Sequence, residues 1–472
     1  MTHTTKDVVV NGFFWTFGLK ILSAVIQIGT IAILSRILIA QHFGTMGILV
    51  MIVGFSKIIS EFGLGAALIQ KSNLISRDYQ TVLAISILFA LFFSLTFFFL
   101  SKQIAIYFND STINLPLKVI CLIFIIDSII VVQNAIAQKN LDFKFIAITA
   151  FISYFIGTSL ITILLAYLDY GIWALVIGYM FQSVSTLTFY LLKYGLHLPY
   201  IYKASVKKLF NYGFFFTIGR IANYFANNGD YFIIGKVLGV QSLGYYTRAY
   251  QMMSSPANLL GGTIQKIFFP LFAKIQNEKE NIIKYYTISN ILLSYLSLFV
   301  SVIVAFYSSQ IVHILLGPGW DSTIFPLRIL ALSLVFKLGY KSTTPIMNAM
   351  GLVKIRSMIE VSYLCFILAG TFLGSFWGIN GASIGVLIAL VLNFAISNFY
   401  CSKHLGLNFN AFITPYVKPL TLGTLLLIAL VILSINWTFF ILYIILMGVI
   451  FLFALKNGLF KNEIYLIRML KK

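Results

Sequence analysis

The sequence predicts an all-α integral membrane protein of about 14 transmembrane helices, arranged as two pseudo-symmetric six-helix bundles plus a C-terminal helix pair. Three observations predict it. Of 472 residues, 60% are apolar and only 10% charged, against roughly 25% charged in soluble domains. So few charges cannot cover a surface in water, and the apolar excess must face a bilayer. Apolar segments of about 20 residues, the length that crosses a bilayer, then follow one another with short polar breaks. Finally, a stretch near the N-terminus recurs some 200 residues later.

These features exclude soluble cytosolic enzymes and secreted disulfide scaffolds. The net charge of +20 is spread over 33 basic residues in small clusters between apolar stretches, the pattern of basic loops beside membrane spans rather than of a nucleic-acid-binding domain. Cys121, Cys365 and Cys401 have no CxxC spacing and no neighbouring His, so neither a disulfide framework nor a metal site is expected. The first apolar stretch is too long for a signal-peptide core and lacks a small-residue cleavage site, so it is expected to stay as helix 1.

In order, the expected spans are 12–35, 44–69, 79–101, 113–137, 144–167, 171–193, 208–235, 242–270, 284–309, 324–349, 355–377, 380–402, 413–433 and 437–456. The first, second, seventh and eighth carry Gly, Asn, Gln, Ser and full charges, as helices do that line a protected, wetted interior. With the N-terminus inside, 24 of the 33 Lys and Arg fall on the cytoplasmic side, Lys337 and Lys341 among them, and four on the outer side: Arg36, Lys102, Lys236 and Arg328. That bias puts both termini on the cytoplasmic side of the membrane. Trp173, Trp320, Trp377 and Trp437 fall at expected outer ends, where an aromatic belt forms.

Internal repetition sets the domain organisation. NGFFWTFG at 11–18 aligns with YGFFFTIG at 212–219, and ILSRILIAQHFG at 33–44 with IIGKVLGVQSLG at 233–244. Six helices separate the copies, so both enter the membrane in the same sense. The expected domains are 1–200, an N-terminal six-helix bundle; 201–405, its repeat; and 406–472, helices 13 and 14 with a basic tail. Two bundles with polar helices at matching positions make a transporter that rocks around a central cavity.

Four segments carry a resemblance to a known family: EFGLGAALIQK at 61–71, NNGDYFIIGKVLGVQSLGYYTRAYQMMSSPANLL at 227–260, IFFPLFAKIQ at 267–276 and LLGPGWDSTIFPLRILAL at 315–332. They resemble the polysaccharide transporter family of the multidrug/oligosaccharidyl-lipid/polysaccharide (MOP) exporter superfamily, and within it the Wzx-type flippases. The resemblance implies a central cavity and passage of undecaprenyl-diphosphate-linked oligosaccharide from the inner to the outer leaflet. One departure stands out. Gly29 occupies the place that an equivalent of Asp230 would take, so symmetric sites in the two halves are not expected.

Nine charged residues fall inside expected spans: Lys20, Lys57, Lys118, Arg220, Arg248, Glu61, Asp127, Asp230 and Glu360. Each would cost about 2.5–3.5 kcal/mol facing lipid at the bilayer centre, so most must face the bundle interior. Lys118 and Glu360 begin their helices and could snorkel to the interface. A diphosphate crossing mid-membrane needs cationic donors to replace its hydration. Lys20, Lys57, Arg220 and Arg248 are therefore the candidates for substrate binding or gating, and Glu61, Asp127 and Asp230 for ion coupling or charge pairing. Pairing alone remains an alternative, either Lys57 with Glu61 one turn away or Arg220 with Asp230. Asn11, Asn223, Asn227, Asn228, Gln27 and Gln251 could meet sugar hydroxyls or bond between helices. Gly12 and Gly18, like Gly213 and Gly219, are six apart and are expected to permit close helix approach.

A non-enzymatic flippase is the leading reading, with no cofactor and no ATP site, since no Gly-rich phosphate loop is present. The bilayer and a lipid-linked oligosaccharide are its expected partners, with a polysaccharide polymerase and a chain-length protein as further candidates, and no nucleic acid. A multidrug or ion antiporter of the same superfamily would want an acid-lined cavity. A membrane-embedded polymerase or glycosyltransferase would want a long outer loop with catalytic carboxylates. The longest, about Gln310 to Thr323, offers only His313 and Asp321.

Overall fold

The computed structural model describes residues 3–65, 68, 76–195, 198–275, 278–406, 416 and 421. Every element among them is helical. In chain order they are α1 (His3–Ile37), α2 (Ala40–Glu61), α3 (Ser76–Tyr107), α4 (Asn114–Ile120), α5 (Leu122–Lys139), α6 (Phe143–Ser153), a π-helical stretch (Tyr154–Ile161), α7 (Thr162–Tyr167), α8 (Ile172–Tyr194), α9 (Lys203–Val237), α10 (Val240–Lys274), α11 (Lys279–Phe306), α12 (Ser308–Leu315), α13 (Ile324–Leu332), α14 (Leu334–Ala349), α15 (Val353–Ser375) and α16 (Gly378–Leu405). Short 3₁₀ turns at Ser111–Ile113 and Asp321–Thr323 precede α4 and α13.

The first 12 expected spans all coincide with a helix or a broken helix pair. Eight described helices are long and apolar enough to cross a bilayer, and ten spans result if α11 with α12 and α13 with α14 each count as one bent crossing. The long α9 and α10 are left out of that number by their polar content, Arg220, Asp230 and Lys236 on one and Arg248 on the other. Spans 13 and 14, Trp437 and the basic tail lie outside the described residues.

Two compact units make up the chain. One gathers residues 1–259, 309–327 and 357–389, and the other 260–308, 328–356 and the described residues from Leu390. In the first, Leu64, Leu68, Val82, Leu83, Val132 and Ala135 form an apolar core between the end of α2, α3 and α5. In the second, Leu298, Val302, Val335 and Tyr416 do the same. Apolar contact distinguishes little in lipid, so close backbone approach and hydrogen bonds add the specificity. The Ser94 hydroxyl donates to the Cys121 carbonyl at the break between α4 and α5 (3.1 Å), and Ser301 donates to Ala331 (2.7 Å).

Three sequence expectations need correction. Lys337 and Lys341 do not stand in a loop: both lie within α14, and Lys337 is 3% exposed. Trp320 is no lipid-facing belt residue, being 3% exposed with its indole N–H donating to the Ser35 carbonyl (2.8 Å). Gly18 and Gly219 do not mark close packing, because a Cβ at either would meet open space.

Candidate functional site

The charged residues of α2 organise the first unit. Lys57 and Glu61 share a helix face, yet they do not pair with each other. Lys57 reaches Asp127 of α5 (3.4 Å), and Glu61 accepts a hydrogen bond from the Arg220 guanidinium of α9. One helix thus carries two ion pairs of opposite polarity, a turn apart, to two different neighbours. The rejected i,i+4 pairing is worth only about 0.2–0.5 kcal/mol in a helix, whereas an interhelical pair also satisfies a second charge that lipid cannot solvate.

The expected alternative of an Arg220–Asp230 pair is not formed either. The two stand ten positions apart on α9, about 15 Å at the rise of an α-helix. Asp230 is 2% exposed. It accepts from the Tyr246 hydroxyl of α10 (2.6 Å) and from the Tyr231 backbone N–H (3.0 Å), inside a cluster of Tyr231, Tyr246 and Tyr250 rings. Arg248 is 8% exposed. Its guanidinium lies 3.6 Å from the centre of the Phe43 ring and donates to Gln251 (2.7 Å), while its Nε has no hydrogen-bond partner among the described residues.

Exposure separates the cations from the acids. The side chains of Lys57 and Arg220 are 43% and 35% exposed, and those of their partners Asp127 and Glu61 9% and 15%. Lys20 of α1 is exposed. The cations therefore form the accessible side of each pair, with the carboxylates behind them. Glu360, expected to snorkel, instead accepts from Asn223 of α9 (2.9 Å). Lys118 lies over the Phe98 ring. Asn227 and Asn228 donate to carbonyls one turn back on α9, and Tyr224 donates to the Met51 carbonyl of α2 (2.6 Å). The side chain of Asn11 is not among those described.

Residues 33–325 match the sequence family described as polysaccharide biosynthesis protein, more than half of the chain. The chain belongs to that family. Among similar proteins, an uncharacterised membrane protein in the cps region of Klebsiella pneumoniae is 24% identical over 436 residues, covering 90% of this chain and 89% of its own. The lipopolysaccharide biosynthesis protein WzxC of Escherichia coli K12 is 23% identical and covers 89% and 86%. A solved structure of the lipid II flippase MurJ, in an inward closed conformation, aligns with a TM-score of 0.75 at 15% identity, over 95% of this chain and 99% of that one. At that identity the likeness is one of fold.

Sequence reasoning missed one motif. Asp110-Ser111-Thr112-Ile113 recurs as Asp321-Ser322-Thr323-Ile324, and each copy is followed by Pro-Leu and a basic residue, Lys118 or Arg328. Four consecutive identities were the signal. An offset of 211 rather than 200 hid it from a search at fixed spacing.

Proposed function

We propose that this chain is a flippase that carries undecaprenyl-diphosphate-linked oligosaccharide, a repeat unit for exopolysaccharide, capsule, O-antigen or a teichuronic-type polymer, across the cytoplasmic membrane by alternating access. The observation that carries the reading is the outward-facing cation of each α2 ion pair. A diphosphate approaching Lys57 and Arg220 meets positive charge already held in place, and the carboxylates behind keep that charge solvated when the cargo is absent. Lys20 adds a third exposed cation. The fold supports the reading, as do the names of the relatives, which concern polysaccharide and lipopolysaccharide biosynthesis and, for the structural neighbour, lipid II flipping.

The same exposure pattern weighs against a cation-exporting antiporter, which wants accessible acids and sheltered bases. In this reading Arg248 is sheltered by Phe43 and meets cargo only in another conformation, whereas Glu61, Asp127 and Asp230 set the electrostatics of the path. Both termini are cytoplasmic, and a polysaccharide polymerase with a chain-length protein takes up the product outside.

Substitution of Arg220 tests the proposal. Arg220→Lys keeps a point charge and loses the bidentate fork, so it should retain partial export of surface polysaccharide. The double substitution Glu61→Gln with Arg220→Gln removes both charges and should leave membrane abundance near normal while export falls at least 100-fold. Full export in the double variant would remove Arg220 from the path.

A further inference from the structure

The repeat-equivalent ends of the two halves grip each other reciprocally within the first unit. A Cβ on Gly44 would come 1.8 Å from the Val240 carbonyl oxygen, and a Cβ on Gly244 would come 1.8 Å from the Ala40 carbonyl oxygen. Gly44 and Gly244 are equivalent in the repeat, as are Ala40 and Val240. The contact is therefore one contact made twice about a local two-fold axis. Gly47 faces Thr247, its own equivalent, at 3.1 Å from the place of a Cβ.

A second layer surrounds this crossing. Arg36, near the end of α1, donates to the Ile314 carbonyl of α12 (2.8 Å), and its equivalent Lys236, near the end of α9, donates to the Tyr107 carbonyl of α3 (2.7 Å). Each basic side chain thus caps last-turn carbonyls in the opposite repeat, groups left without intrahelical partners and favoured by a positive charge. Each Asp-Ser-Thr-Ile turn is also held by its own repeat: Thr45 bonds to Thr112 and Gln41 to Asp110, while Thr323 bonds to the Tyr245 carbonyl. Each turn is therefore held by its own half, and the helix end that precedes it by the opposite half.

We infer that this two-fold clasp is the release-side gate, which must part for cargo to leave toward the outer leaflet. The inference rests on the flippase reading and its orientation. Glycine backbones in contact give a tight seal without interdigitated side chains to unpack, and the surrounding hydrogen bonds end on carbonyls that water can satisfy once the halves separate. Phe43, beside Gly44, is the ring that covers Arg248, so parting the crossing also uncovers a buried guanidinium.

A Gly47→Cys and Thr247→Cys pair, in a chain with Cys121, Cys365 and Cys401 changed to Ala, tests the gate. Oxidative cross-linking should reduce export of surface polysaccharide at least tenfold, with recovery on reduction. Unchanged export by the fully cross-linked protein would overturn the gate and make the crossing a permanent joint. If the reduced pair exports nothing because the protein is not a flippase, hydrogen–deuterium exchange in nanodiscs reads the gate without cargo. Gly44→Ala should then speed exchange at least tenfold in the turns at 110–113 and 321–324 together, with α5 unchanged. Exchange confined to the mutated repeat, or spread equally to α5, would overturn it.

Discussion

The first turns of α2 and α10, at the clasp, and the later turns of the same two helices have the same ancestry and opposite character. At the clasp, residue answers residue: Ala40 and Val240, Gly44 and Gly244 make the same contact in both directions, and Arg36 and Lys236 each cap a helix end of the opposite half. Beyond it the correspondence fails: one turn on, Arg248 of α10 aligns with Ile48 of α2, and roughly four turns on, Lys57 and Glu61 of α2 align with Ala257 and Gly261 of α10. On the flippase reading, the difference teaches that duplication kept symmetry where two halves meet each other and discarded it where they would meet an asymmetric cargo. A diphosphate with one lipid and one sugar arm gains nothing from two identical charge sets.

The sharpest way to break this comparison is to exchange partners at both places. Swapping Arg36→Lys with Lys236→Arg keeps a cation over each set of carbonyls, and export should change less than twofold. Reversing the central pair, Glu61→Arg with Arg220→Glu, keeps an ion pair but puts the carboxylate on the accessible side. Abundance should hold while export falls at least 100-fold. Equal tolerance at both sites, measured as surface polysaccharide per unit of membrane protein, would end the claim that the later turns are specialised.

Glycines give the next largest contrast. Gly44→Ala forces a Cβ against backbone that cannot rotate away and should lower thermal stability in detergent by about 1–3 kcal/mol, the usual cost of overpacking. Gly18→Ala meets open space and should raise stability by up to about 1 kcal/mol through helix propensity. Stabilisation by both substitutions would show that the crossing is looser than its geometry.

How much of this was legible in the sequence follows from which interactions act locally. The apolar runs that became α3, α5 and α8 are fixed by what bilayer crossing demands, so their positions could be read directly. The identity of the charged residues was legible for the same reason, since lipid leaves few places for them. Their partners were not. Whether Glu61 turns to Lys57 on its own helix or to Arg220 on another depends on how α2 packs, which no local pattern records. Lys337 was counted with the loops because a basic residue inside a moderately polar span is indistinguishable, by charge counting, from one in a loop. The clasp was half visible: the repeat aligned Gly44 with Gly244, but equivalence alone does not say that two positions touch.

The smallest effect is expected at the membrane edge, where a third pair serves as a control for the central two. Asp142, in the turn between α5 and α6, accepts from the Tyr194 hydroxyl (2.6 Å) and pairs with Lys193 (2.9 Å). The Tyr194 hydrogen bond, and after it the Lys193 charge, holds the Asp142 carboxyl below its ordinary value. A carboxylate lowered in the folded state contributes its full stability above the unfolded value of about 4 and loses it as pH falls through the folded one. Both charged side chains are more than a third exposed, so water screens the pair and its contribution is at most about 1 kcal/mol. Asp142→Asn should therefore reduce stability at pH 7 by less than about 1 kcal/mol, leave export unchanged, and flatten the loss of stability seen below pH 4 in thermal melts. A loss of export in Asp142→Asn would mean that charge at this edge also guides cargo, and would erase the distinction between a surface pair and the two pairs of α2.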